Sequence, residues 1–231
     1  LGTSPLPGVT TVGPVVVLSD DSALYITTDV GVRRVNLSVF PPITPTLTAG
    51  SIGVKDGWVL ESTETSNVGG AMSAAGVLQV GDNAQDKQYR SVLYFSLNLP
   101  NNAIISRAIV KIKKKGVVGT DPFTTHGGLL ADIRKGSFGG LPLEIADFQN
   151  PASKVNIGKF TPIAAEPGWY QLVLADTYLP YINLIGVTQF RIYFTRDDNN
   201  DDGADVAQFF SGDTSTPISN RPFLFIEYVV P

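Results

Sequence analysis

The 231-residue sequence predicts an all-β fold, an antiparallel β-sandwich or jelly roll with a β-rich N-terminal arm. Two observations support this prediction. Short runs in which apolar and polar residues alternate recur along the chain, and 23 glycines and 16 prolines separate them. Hydrophobic residues make up 43% of the chain and charged residues 16%, so there is enough apolar material for a core and too little charge for disorder.

The N-terminal arm and its linker are predicted to span residues 1–50, and the main domain residues 51–231. The segment PPITPTLTAG (41–50) is predicted to be the extended linker, because proline lacks the backbone donor that a sheet requires. The arm before it contains apolar runs that predict strands at 15–19, 23–28 and 32–40.

The main domain is predicted to consist of short strands with turns between them, the pattern of an antiparallel sandwich. These strands are predicted at 58–62, 77–80, 89–97, 103–114, 128–136, 169–174, 188–194, 206–211 and 222–230. Two short helices are predicted at 143–149 and 176–185, the second beginning at Asp176 and ending at Gly186.

Composition narrows the classes of function. The net charge of −4 argues against nucleic-acid binding, because phosphate contacts require clustered Lys and Arg. The absence of cysteine excludes disulfides, zinc–thiolate sites and cysteine nucleophiles. No apolar run reaches the roughly 18 residues of a membrane span. The first residues, LGTSPLPG, look like a processed terminus, from which we expect an extracellular or cell-surface location.

The segment RDDNNDDGAD (196–205), here called the acidic loop, predicts a calcium site. It contains five of the chain's 21 Asp and Glu residues, and its acids fit the pattern D-x-[DN]-x-[DN]-G, in which alternate oxygen ligands converge on one ion. Strands are predicted on both sides, which excludes an EF-hand. The predicted ligands are Asp198, Asn200, Asp202, Ala204 through its carbonyl, and Asp205.

Two further points concern the acidic loop. We expect it to draw additional carboxylates from elsewhere in the chain, such as Asp56 or Glu61. The alternative to a calcium site is a solvated acidic turn, because Asp and Asn favour tight bends.

A series of motifs in the main domain resembles a known family. In chain order the motifs are DGWVLESTETSNVGG, LQVGD, YRSVLYFSLNLPNNAIISRAIVKIK, DIRKGSFGG, DFQN, GWYQLVL, YINLIGVTQFRIYFTRDDNNDDGAD, FFSGD and RPFLFIEY. Residues 54–231 resemble the DNRLRE-type domains, a β-sandwich family related to carbohydrate-binding modules. The resemblance implies a jelly roll, often with structural calcium, in secreted enzymes, adhesins or surface proteins. The N-terminal arm lies outside it.

The sequence does not predict an enzyme. His126, the single histidine, lies in the turn-like segment TTHGG without a partner motif and is predicted to be an ordinary loop histidine. Two carboxylates could hydrolyse a glycoside, but the dense acids of the acidic loop suit an ion better than proton transfer.

The N-terminal arm favours a structural function. Val15, Val16, Val17 and Leu18 form a short apolar run that must be buried. We expect it to add as a strand to the sheet of another subunit, and the alternative is that it folds back on its own chain. Head-to-tail exchange of this kind does not close, so it produces a homopolymer. The sequence therefore predicts a self-assembling extracellular subunit of a filament, tube or surface layer. Asn36 is a possible glycosylation site in the sequon NLS.

The alternative function is that of a secreted carbohydrate-binding module that recognises polysaccharide. Such modules stack sugar rings on exposed aromatic side chains. Tyr178 and Tyr181, in the segment DTYLPYIN, are the predicted exposed pair, whereas Trp58 and Trp169 lie within strand patterns that favour core packing.

Overall fold

The chain divides into two compact units, an N-terminal unit (1–43) and a sandwich unit (44–231), each described here by itself. The computed structural model describes residues 12–17, 23–28, 31–36, 44–74, 76–140, 143–213 and 215–231. Residues 46–50 belong to the sandwich unit, where they form a strand, so the predicted domain boundary at residue 50 lies too late in the sequence.

The N-terminal unit contains an antiparallel sheet of three strands in the order β1-β2-β3. The strands are β1 (Val12–Val17), β2 (Ala23–Thr28) and β3 (Gly31–Asn36). The register between β1 and β2 shifts between Val12 and Val15, where Pro14 supplies no backbone donor.

The apolar run of the N-terminal arm has a partner strand in its own chain. Val15, Val16 and Val17 pair with β2, and addition to the sheet of another subunit stays a prediction. Leu18 lies outside the described residues. Among the strands that the structure describes, β2 alone pairs with β1, on one of its edges. A strand of another subunit would therefore have to pair with the opposite edge.

The described part of the sandwich unit forms strands β4 to β15 and one short helix. The strands are β4 (Thr46–Gly50), β5 (Gly57–Glu61), β6 (Gly69–Ser73), β7 (Val77–Asp82), β8 (Gln88–Asn98), β9 (Ile104–Gly119), β10 (Leu129–Lys135), β11 (Thr161–Pro162), β12 (Trp169–Val173), β13 (Ile185–Phe194), β14 (Asp205–Phe210) and β15 (Phe223–Val229). The helix α1 spans Pro122–Thr125. The predicted all-β sandwich is confirmed.

Two antiparallel layers are joined through the long strand β9. Its first part pairs with β15 on one side and β12 on the other, and β4 and β11 complete this first layer. Its last residues pair with β14, which leads through β7 to β8, β13 and β10 in the second layer. β5 and β6 extend from β8. This arrangement places the ends of β7, β9 and β14 next to one another.

Alternating side chains explain the main core between the layers. In β13, Phe190, Ile192 and Phe194 are buried in this core. β8 is buried on both faces, because Leu93 and Phe95 enter the main core while Val92 enters a second, smaller cluster. Val59, Phe138, Leu143 and Phe148 complete the smaller cluster. Residues 137–140 and 143–150 therefore pack on the outer face of the second layer.

The predicted elements differ from the observed ones where glycine or proline obscured the pattern. β4 follows Pro45 directly and was predicted to be linker, and β6 begins with two glycines and was not predicted. The predicted helices at 143–149 and 176–185 are short 3-10 turns, Ile145–Phe148 and Asp176–Tyr181. Pro180 inside the second turn prevents a longer helix.

Candidate metal centre

The acidic loop connects β13 to β14, but its side chains do not form the ligand ring that its spacing predicts. Asn200 and Asp202 are exposed and have left-handed backbone conformations, with φ of 57° and 52°, which Asn and Asp tolerate. Asn200 Nδ2 donates a hydrogen bond to Asp198 Oδ1 at 2.6 Å. An amide hydrogen therefore occupies an oxygen that we predicted to bind the ion.

Asp205, the last residue of the acidic loop, belongs instead to a buried carboxylate–histidine cluster of Asp82, His126 and Asp205. Asp205 begins β14 and lies opposite Asp82, the last residue of β7. The two residues are fully buried, and Asp205 N donates to Asp82 Oδ1 at 3.1 Å. One potential ligand atom from each residue of the cluster lies within 4.8 Å of the others.

His126 completes the cluster because α1 turns the chain inward before it. Asp121 caps α1 by accepting a hydrogen bond from Phe123 N at 3.2 Å, and Gly127, with φ of 84°, turns the chain after His126. The imidazole is fully buried, with Nε2 3.4 Å from Asp82 Oδ2. The prediction of an ordinary loop histidine is therefore wrong about its surroundings.

The hydroxyl of Thr125 links the carboxylate of Asp205 to the imidazole of His126. Thr125 Oγ1 lies 2.7 Å from Asp205 Oδ2 and 2.7 Å from His126 Nδ1. When Asp205 is ionised, the single hydroxyl proton is donated to its carboxylate, so Nδ1 donates its own proton to Thr125. The lone pair of Nε2 in the neutral imidazole then faces Asp82 Oδ2. A proton on Nε2 or a cation bound beside these two atoms would remove the repulsion.

Several polar atoms of this region are buried and have no hydrogen-bond partner among the described residues. They are His126 Nε2, Asp82 Oδ2, Asp86 Oδ1, Asn199 Oδ1 and Asp205 Oδ1. Asn199 is held beside the carboxylate–histidine cluster because its Nδ2 donates to Asp205 Oδ2 at 3.2 Å. Each buried acceptor without a partner costs about 1–3 kcal/mol, and charged groups cost more. A cation at the carboxylate–histidine cluster would satisfy the unpartnered oxygens of Asp82 and Asp205.

The charges around Asp198 also indicate a site of negative potential. Partial burial raises the pKa of Asp198, and the negative charges of Asp197, Asp86 and Asp82 raise it further. Asp86 and Asp82 therefore lie close enough to Asp198 to disfavour its ionisation. A bound cation would reverse this effect by favouring the charged form of each carboxylate.

The available donors suit calcium better than a softer metal. The unpartnered oxygens belong to three carboxylates and one amide, and calcium takes carboxylate, amide and carbonyl oxygens. His126 contributes the only nitrogen, whereas zinc sites are built from several His or Cys ligands. The donors of the cluster therefore suit a hard cation better than zinc, and His126 contacts Asp205 through the hydroxyl of Thr125.

The predicted ligands are thus only partly brought together. Asp205 lies in the carboxylate–histidine cluster and Asp198 lies at its border. Asn200 and Asp202 are exposed, and the carbonyl of Ala204 accepts a hydrogen bond from Thr120 N at 3.0 Å. The sequence-based prediction missed Asp82, Asp86 and Asn199. The signal for the first two was the segment GDNAQD (81–86), in which two acids follow directly after a strand.

Asp56 and Glu61, which we expected to bind the ion of the acidic loop, accept backbone hydrogen bonds in other parts of the sandwich unit. Asp56 accepts hydrogen bonds from Tyr94 N at 2.8 Å and Gly212 N at 2.9 Å. Glu61 accepts one from Gln88 N at 3.3 Å. Both side chains are buried and already have donors, so neither is needed at the carboxylate–histidine cluster.

The predicted glycan contacts have a different environment from the one expected. Tyr178 and Tyr181 are half-buried and pack against the main core, and the ammonium of Lys154 lies 5.4 Å from the ring of Tyr181. Trp58 and Trp169 are also half-buried rather than in the core. Asn36 is the last residue of β3, and Ser38 of its sequon lies outside the described residues.

No helix in the described part of the chain is long and apolar enough to span a membrane. No protein-family model and no curated protein matches the sequence. The resemblance to DNRLRE-type domains therefore remains a prediction from the motifs.

Proposed function

We propose that this chain is a non-catalytic extracellular structural subunit. Copies of it assemble into a filament, tube or surface layer through the N-terminal unit, and calcium at the carboxylate–histidine cluster stabilises each sandwich unit. The observation that carries the assembly is the N-terminal unit itself, a separate three-stranded sheet within 43 residues.

Size is the first reason. Chains of about 40 residues rarely bury enough apolar surface to fold alone, and they usually require disulfides, a metal or a partner chain. The sequence contains no cysteine, so disulfides are excluded. Association with another copy would supply the missing burial.

Edge strands are the second reason. A sheet in the order β1-β2-β3 has β1 and β3 at its edges, and edges offer backbone donors and acceptors for strand addition. Addition of one chain's edge strand to the next chain is head-to-tail, and such contacts extend without closing. This supports a polymer rather than a dimer.

The test is removal of residues 1–43 followed by sedimentation and electron microscopy at matched concentration, with calcium and with chelator. The full chain should form polymers that sediment, and the truncated chain should remain a monomer. Val16→Pro should weaken assembly, because it removes a donor from β1, whereas Val16→Thr should preserve it. Assembly of the truncated chain to the same extent as the full chain would refute the proposal.

One observation supports the alternative, a carbohydrate-binding module. A cleft of about 640 Å³ lies beside the turn Asp176–Tyr181, and Lys135 and Asp176 contribute polar groups to its mostly apolar lining. Affinity electrophoresis of the truncated chain in soluble polysaccharides tests this function. Retardation that is lost in Asp176→Ala, which alters the lining of the cleft, would favour sugar binding over assembly.

A further inference from the structure

We propose that Glu144, Asp147 and Asn150 form a second calcium site, over Gly139 on the outer face of the second layer. This site is separate from the carboxylate–histidine cluster and does not depend on the proposed assembly. It lies in the segment formed by residues 137–140 and 143–150, which covers the smaller hydrophobic cluster.

The geometry begins at Gly139, which has no Cβ. The position that a Cβ would take lies 2.6 Å from Asp147 Oδ1, 2.9 Å from Glu144 Oε2 and 3.0 Å from Asn150 Nδ2. Three polar side chains therefore converge on one small region directly over the glycine. Rotation of the Asn150 amide exchanges its nitrogen for Oδ1, so all three residues can present oxygen. Oxygens bound to one calcium ion lie up to about 5 Å apart, which this spacing permits.

The buried side chain of Asp147 is a second observation, separate from the convergence over Gly139, that indicates a bound ligand. This side chain is fully buried, and Oδ1, the atom that points toward Gly139, has no hydrogen-bond partner among the described residues. Oδ2 already accepts a hydrogen bond from Glu144 N at 3.0 Å. Burial raises the pKa of Asp147 and the charge of Glu144 adds to this rise, although the Glu144 amide, the charge of Arg191 and the side chain of Asn150 oppose it. Two carboxylates at close range around an unpartnered buried oxygen call for a positive charge.

The nearest arginine is engaged elsewhere. Arg191 donates through Nη2 to Asp132 Oδ2 at 2.6 Å, and through Nη1 to the carbonyls of Asp147, Phe148 and Asn150 at 3.0, 3.1 and 2.8 Å. None of these bonds reaches the carboxylate of Asp147. Arg191 therefore fixes the backbone of the segment. Its charge opposes the rise that burial causes in the pKa of Asp147, but it forms no hydrogen bond to that carboxylate, whose Oδ1 is left to bind a cation.

The position of the Glu144 side chain also depends on Gly139 and Gly140, because neither has a Cβ. A Cβ at Gly140 would lie 2.0 Å from Glu144 Oε1, so the carboxylate of Glu144 rests directly on this backbone. Glu144 itself is exposed, which makes the site open to solvent on one side. We therefore expect weaker affinity here than at the fully buried carboxylate–histidine cluster.

The test counts calcium ions bound by the full chain in equilibrium dialysis. The wild type should bind one more ion than Glu144→Gln, and Asp82→Asn should lose the other ion. Glu227→Gln is the control for charge, because Glu227 forms an exposed ion pair with Arg107 and should leave the count unchanged. Equal counts for wild type and Glu144→Gln would overturn the second site.

Asn150→Asp should have the opposite effect and strengthen calcium binding, which a misfolded variant would not do. A third carboxylate should tighten calcium binding at this site, roughly tenfold, because affinity increases with the number of charged ligands. In chelator the same change should lower Tm, since three carboxylates would repel one another. If Asn150→Asp lowers Tm equally with and without calcium, the carboxylates share a proton rather than a cation, and the proposal is wrong.

Discussion

Asp82 and Asp205 lie directly opposite each other on β7 and β14, where like charges weaken a sheet. The Asp205 backbone amide and the Thr125 hydroxyl compensate in part, since each donates to one of the two carboxylates. Neither donor carries a full charge. The pair is therefore the position at which loss of a cation should be most damaging.

Asp82→Asn tests this position. The substitution keeps the shape of the side chain and its acceptor for Asp205 N but removes one charge. Calcium at a hundredfold excess over its Kd should stabilise the wild type by about 3 kcal/mol relative to chelator, and the variant by much less. Urea unfolding with and without calcium measures the difference. Glu227→Gln, which removes a charge from the ion pair with Arg107, is the control. A wild-type unfolding curve that chelator does not change would rule out the buried calcium.

Asp56 makes stability depend on pH. Burial raises the pKa of Asp56 from 3.8 to about 6, although the amides of Tyr94 and Gly212 favour its charged form. The folded state therefore binds the proton more tightly than the unfolded state. The resulting contribution, on the order of 3 kcal/mol, is complete below pH 4 and is lost as pH rises through 6.

The measurement is the unfolding free energy of wild type and Asp56→Asn between pH 4 and 7. Wild-type stability should fall relative to the variant as pH rises across this window. The variant should be the less stable of the two at pH 4, because its amide places hydrogens against one of the two backbone donors. A constant difference at every pH would show that Asp56 does not titrate as expected.

At the scale of the elements, two glycines let the strands approach closely at the candidate site. Gly81 has φ of 120°, and a Cβ there would lie 1.9 Å from the carbonyl oxygen of Asp205. Gly119 ends β9 with φ of 71°, and its Cβ would lie 1.5 Å from the carbonyl oxygen of Ala204. The contacts between β7, β14 and β9 therefore depend on the absence of side chains at both positions.

Gly81→Ala should separate β7 from β14 and weaken calcium binding. Gly136→Ala is the matched control, because Gly136 has a similar φ of 106° but no atom within 4 Å of the added Cβ. The free energy of unfolding of Gly136→Ala should fall only by the cost of a left-handed backbone at alanine, about 1–2 kcal/mol. The free energy of unfolding of Gly81→Ala should fall clearly more. Urea unfolding and calcium titration of both variants check this. Equal losses would mean that the close approach at Gly81 is unimportant.

At the scale of the whole molecule, the sandwich unit should unfold independently of the N-terminal unit. All strand pairs of β4 to β15 lie within the sandwich unit, so deletion of residues 1–43 removes none of them. We expect the Tm of the sandwich unit to change by no more than about 2 °C, since 1 kcal/mol shifts Tm by about 2–4 °C in a domain of this size. Calorimetry of the full and truncated chains measures this. A large drop in Tm would contradict independent folding.

The local alternation of apolar and polar residues was sufficient to predict most of the strands. In β13, Phe190, Ile192 and Phe194 alternate with polar residues, and this alternation indicates both the strand and its buried face. β4 and β6 were missed because proline and glycine also mark turns. The boundary of the N-terminal unit was missed for the same reason, since PPITPTLTAG contains both a connection and a strand.

The sequence by itself determined the all-β class, the position of most strands and the presence of a dense group of acids. Only the tertiary structure decided which acids meet. Asp82 and Asp205 are 123 residues apart, and His126 reaches them from a third segment. Strand register sets such encounters, and register depends on packing across the whole sheet rather than on neighbouring residues. The spacing within the acidic loop therefore indicated that the ligands are carboxylates. The pairing of the strands decided which carboxylates come together.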